Sequence, residues 1–308
     1  MTTDPRLLDW LLDSDPALRW QVERDLAGAP PEVWRATRAR VATEGFGAQL
    51  LAKQDADGQW AGGSYFPAGF FGSPEADEPG QPWTATTWSL KDLREWGVDA
   101  AELAGTAEKL AANSRWDYDD LPYWGGEVDV CINSFTLATG AWLGADASAL
   151  AAWFPAHRLA DGGWNCEAEE GDSTRSSFHF TLNALRGILA YERITGDTSR
   201  REARCGGEDY LLERRLMCRA TTGDLVGVFV TRFVYPNRHR YSALAAATTS
   251  ATPPCSTERR PISGSPRRST SCAPHGNPTA RGVNLLLSRG APGSTSTPPK
   301  ASRPAGSP

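Results

Sequence analysis

The sequence predicts an all-α fold, and three observations predict it. Apolar residues recur at helical spacing, most clearly in the stripe Phe178, Leu182, Leu185 and Leu189. The alternation expected of strands is nearly absent, apart from the short stretch LVGVFV at 225–230. Segments rich in Gly, Pro and Asp separate the helical stretches.

Taken in order, Asp15-Pro16 opens a helix that runs to about Leu26 and closes at Gly28 and Pro30-Pro31. A second helix starts near Pro31 and continues to about residue 53. Residues 84–96 form a third, ended by Gly97, and residues 101–113 a fourth. Residues 131–143 carry few charges on any face, and 148–154 make a short helix. Residues 177–194 carry the apolar stripe. Residues 198–219, rich in Glu and Arg, read as its solvent-facing partner.

With 308 residues the chain is long enough for a sizeable core. Its net charge of -5 averages two unlike parts: residues 1–242 carry -12 and residues 243–308 carry +7. All 12 tryptophans lie between Trp10 and Trp164, whereas 243–308 has no aromatic residue and holds 11 of the 22 prolines. The expected division is therefore a helical domain over 1–240 and a disordered, basic Pro/Ser/Thr/Arg-rich tail over 241–308. A reading-frame shift near 238–250 of a GC-rich gene would produce such a tail. The acidic body argues against nucleic acid as a partner, and no apolar run reaches the ~20 residues of a membrane span. The start, MTTDPRLLDW, lacks the pattern of a signal peptide, and six cysteines without compact spacing fit a reducing cytoplasm. Walker, G-x-S-x-G and dinucleotide-binding fingerprints are missing.

A weak repeat punctuates the helices. Gln54-Asp55-Ala56-Asp57-Gly58-Gln59-Trp60 and Arg158-Leu159-Ala160-Asp161-Gly162-Gly163-Trp164 share a D-G-x-W ending, and Trp124-Gly125-Gly126 is a degenerate member between them. Each precedes an apolar helix, the pattern of a closed or solenoidal helical architecture. Q-x3-G-x-W after a helix resembles the repeat of squalene and terpene cyclases and of protein prenyltransferase β subunits, over roughly residues 40–215. The resemblance implies an α/α toroid, here an incomplete ring, built around a greasy cavity. The second copy has Arg158 where that family has glutamine.

The sharpest constellation is Asp129-Val130-Cys131 followed by His179. Carboxylate, thiolate and imidazole are good zinc ligands, and three protein ligands leave one position open for chemistry. The arrangement is similar to the prenyltransferase zinc site, which implies a metal that activates a nucleophile. Cys166 and Glu167, just after Trp164, are substitute ligands. The family's diphosphate-binding bases are missing, since 121–126 contains no Lys or Arg. Asp117-Tyr118-Asp119-Asp120 matches the D-x-D-D acid motif of class II terpene cyclases. That supplies an alternative: metal-independent cyclisation with Asp117, Asp119 and Asp120 as the acid cluster. Trp88, Phe135, Trp142, Phe178 and Phe180 are expected to line the isoprenoid site in either case. A third alternative is a non-catalytic toroid that binds lipid or protein, because a fold does not fix a function.

Overall fold

Proline and aspartate write the N-terminal helices. In the computed structural model, which describes residues 4–169 and 171–250, α1 (Pro5–Leu12) and α2 (Pro16–Asp25) each begin on proline behind a capping aspartate. Helix α3 (Pro31–Ala39) also begins on proline. Helix α1 was not expected from the sequence, and the single helix expected from Pro31 to about residue 53 is broken by a 3-10 turn (Arg40–Ala42), after which α4 (Gly45–Leu51) begins. Asp15 explains the break. Its carboxylate caps Ala17 and also accepts the Phe46 N–H at 2.8 Å, so a Cβ on Gly45 would strike that carboxylate.

The remaining helices are α5 (Thr86–Trp96), α6 (Thr106–Asn113), α7 (Val130–Leu143), α8 (Ser148–Ala156), α9 (Phe178–Thr195), α10 (Arg201–Glu213) and α11 (Ala243–Ser250). Among the described residues only isolated β-bridges interrupt them, and the chain is all-α. The LVGVFV stretch is not a strand: it contains a 3-10 turn, Val228–Thr231. Helix α11 lies inside the segment expected to be disordered. Residues 251–308 of that expectation fall outside the described residues. No described helix is long and apolar enough to cross a membrane.

The chain divides into two units. Described residues of the first are 4–127 and 135–147; those of the second are 128–134 and 148–250. In the first, Trp88 is fully buried among Tyr65, Trp83 and Phe135, with ring centroids 4.6–5.4 Å apart. In the second, α9 packs against α8, α10 and α11. The buried Arg204 of α10 bonds Glu192 at 3.2 Å and also Glu208, so the buried charges at this helix contact are paired.

Each unit contains one D-G-x-W turn, and the two are built alike. In the first, Asp55 N–H donates to Gln59 C=O, Gly58 N–H donates to Asp55 C=O, and Gly58 takes φ +92°. In the second, the equivalent bonds run Leu159 to Gly163 and Gly162 to Leu159, with Gly162 at φ +100°. Both tryptophans are buried. Trp60 Nε1 donates to Leu50 C=O at 2.8 Å, and Trp164 Nε1 donates to Phe154 C=O at 2.9 Å. Their backbone N–H groups donate to a threonine on the next helix, Thr86 and Thr181. The middle segment does not repeat this pattern: Trp124 Nε1 reaches back to Ala107 C=O.

Candidate metal centre

Two pieces of the second unit converge. The first is the start of α7. Asp129 C=O accepts the Asn133 N–H at 3.0 Å, which places Asp129 at the edge of the helix and Cys131 in its first turn. Helix α9 presses against α7 one turn further on, at Ser134, through Gly187. A Cβ there would lie 2.8 Å from both the Cα and the carbonyl oxygen of Ser134, so only glycine permits the approach.

The second piece is the loop after Trp164. The indole anchors it to α8, and the Ser177 N–H donates to Trp164 C=O at 2.9 Å. Gly207 of α10 lets that helix close on the indole, because a Cβ would meet the ring at 2.6 Å. Asn165 then shapes the following 3-10 turn (Cys166–Ala168). Its side chain accepts the Glu167 N–H and donates to Ser173 Oγ and Arg175 C=O. Trp164 and Asn165 thus fix where the Cys166 sulfur stands.

The result is a group formed by Asp129, Cys131 and Cys166, whose ligand atoms all lie within 4.8 Å of one another. Both cysteines are free and buried, and Asp129 is half-buried. The Cys166 thiol donates to the Cys131 sulfur across 3.9 Å. Burial pushes the Cys166 thiol well up, and the neighbouring Cys131 and Asp129 push it the same way. A cation among the three would reverse that balance, since zinc deprotonates a coordinating thiol. The spacing fits zinc: two Zn–S bonds of ~2.3 Å at a tetrahedral angle set sulfurs about 3.8 Å apart. The 3.9 Å separation is close to that edge.

His179 stands outside this group; the structure has Cys166 in the third place instead. Its Nδ1 accepts the Tyr241 N–H at 2.9 Å, and its ring lies 4.6 Å from that of Phe229. Burial lowers its pKa to about 4, helped by Arg240 and opposed by the backbone of His239. The residue is half-buried, and its Nδ1 is already engaged by the Tyr241 N–H. Glu167 is exposed.

The aspartate cluster is a surface turn of the first unit. Asp117, Asp119 and Asp120 are exposed, and Asp119 and Asp120 take left-handed φ angles of 50° and 52°. Asp117 borders a depression of about 300 Å³ with Phe66, Phe70 and Arg115. Desolvation of its carboxyl raises its pKa, against backbone hydrogen bonds from Asp117 and Phe66 that lower it. Of the aromatic residues expected to line a cavity, Trp88 and Phe135 are core of the first unit, and Trp142 is half-buried. Phe178 packs edge-on to Tyr210 and Tyr241 in the second, and Phe180 is half-buried.

Comparisons with protein-family models, with curated proteins and with solved structures return no match for this chain.

Proposed function

We propose that this chain is a zinc-dependent enzyme of the prenyltransferase and terpenoid-cyclase kind, acting on an isoprenoid or similarly apolar substrate, with Asp129, Cys131 and Cys166 holding the metal. The observation that carries this reading is the convergence of a carboxylate and two buried thiols, from segments 35 residues apart, at the spacing of a tetrahedral zinc site. Three ligands leave a coordination position for a substrate atom, and zinc there supplies Lewis acidity and lowers the pKa of a bound nucleophile. The N-terminus of α7 offsets the negative charge of the ligand set. The paired D-G-x-W turns support a toroid built by repetition. The missing bases at 121–126 favour an apolar isoprenoid over its diphosphate.

The cyclase reading has less support, because a carboxyl strong enough to protonate an alkene needs burial, and Asp119 and Asp120 are exposed.

Zinc analysis of the reduced, full-length protein tests the metal. About one zinc per chain is expected. Cys131→Ser or Cys166→Ser should weaken binding by more than the roughly 10–100-fold that loss of an outer-shell partner costs. His179→Ala should leave zinc content unchanged. Protein without zinc, or zinc untouched by both serine variants, sinks the assignment. Saturable quenching of tryptophan fluorescence by farnesol tests the substrate class separately.

A further inference from the structure

We propose that Cys131 and Cys166 form an oxidisable pair, closing under peroxide into a disulfide that locks metal out of the site. The consequence for metal rests on the zinc reading above; the sulfur chemistry rests on geometry alone. The two sulfurs are already in contact at 3.9 Å, and a disulfide needs ~2.05 Å, an approach of about 1.9 Å. They belong to different segments, the first turn of α7 and the turn after Asn165, so the bond closes no strained local ring. Each residue keeps slight exposure, 6% for Cys131 and 8% for Cys166, which a small peroxide can exploit.

The chemistry balances without further reagents. The Cys131 sulfur, which accepts the Cys166 S–H, attacks a peroxide oxygen as its thiolate; the O–O bond breaks, hydroxide leaves and takes up the proton Cys131 gave up, and a sulfenic acid remains on Cys131. The second thiol's sulfur attacks that sulfenic sulfur. The S–O bond breaks, water departs with the thiol proton, and the S–S bond forms. Two thiols lose two electrons, and one hydrogen peroxide becomes two waters.

Metal and disulfide compete for the same sulfur lone pairs. Zinc therefore protects the pair from oxidation, and oxidation removes two of three ligands. Asp129 alone is a poor zinc site. Cys218, a third buried cysteine, provides a comparison within the same chain.

The test uses the full chain, either zinc-loaded or stripped by a chelator and desalted. Each is exposed to hydrogen peroxide, alkylated and mapped by mass spectrometry without reduction. Stripped protein is expected to give a peptide pair linking Cys131 to Cys166. It should also lose zinc rebinding, and dithiothreitol should restore it. Zinc-loaded protein should form the link at least about tenfold more slowly. Cys131→Ser and Cys166→Ser should each abolish the link. Stripped protein in which these cysteines stay reduced, or pass singly to sulfinic acid, overturns the proposal. A Cys131–Cys166 link in protein that never binds zinc when reduced overturns the zinc reading, and with it the lock.

Discussion

At the scale of single residues, His179 makes the pH behaviour of this chain testable. Its pKa is depressed to about 4, mainly by burial, against ~6.5 for an unfolded histidine. As pH falls through 6.5 the unfolded chain takes up a proton that the folded chain refuses. Stability is therefore complete above 6.5, declines between 6.5 and 4, and levels off below that. The loss from this residue is up to about 3 kcal/mol. Urea unfolding at several pH values should show the decline in the native protein and a shallower one in His179→Gln. Equal slopes would remove His179 as the cause. The same residue shows why only part of the site was legible. Asp-x-Cys is a local pattern and marked two members of the group. Choosing between His179 and Cys166 depends on which nitrogen or sulfur is already engaged. That depends on the Tyr241 N–H, 62 residues from His179 in sequence.

At the scale of elements, local chemistry was readable wherever it was self-contained. Proline starts, glycine stops and the stripe on α9 placed most helices within a few residues. The errors arose where a distant group decided the outcome. Asp15 breaks the chain at Gly45 from thirty residues away, and the β-like LVGVFV stretch makes one isolated bridge, Leu225 to Cys218, before turning into the 3-10 geometry of Val228–Thr231. The D-G-x-W turns were legible as a motif, and their equivalence can be measured. Trp60→Phe and Trp164→Phe each strand a carbonyl and leave a small void, at a cost of about 1–3 kcal/mol. Both variants should lose that much in urea unfolding. Only Trp164→Phe should also weaken zinc binding, because Cys166 follows two residues later. Gly187→Ala makes the complementary case from the helix side. Its methyl overpacks α7 at the Ser134 backbone, one turn from Cys131, for about 1–3 kcal/mol, and should shift the helix start that carries Cys131. Weaker zinc binding is expected there too. If Gly187→Ala loses stability while zinc affinity holds, the helix contact does not position the site.

At the scale of the whole molecule, the net charge of -5 hides a strong internal division. Residues 1–250 carry -12, and 251–308 carry +7. None of the three candidate ligands belongs to the basic segment, which also has no aromatic side chain to contribute to a core. A body at -12 repels itself, and a linked +7 is expected to offset part of that field. Salt should substitute for the basic segment. A protein ending at residue 250 should therefore gain more thermal stability than the full chain when salt rises from low ionic strength to ~0.15 M, where the Debye length is ~8 Å. Its zinc content should match that of the full chain. Thermal unfolding of the two proteins across a salt series reads this difference directly. Parallel salt responses would mean that the positive charges do not act on the acidic body, and the composition of residues 251–308 would then carry no electrostatic role.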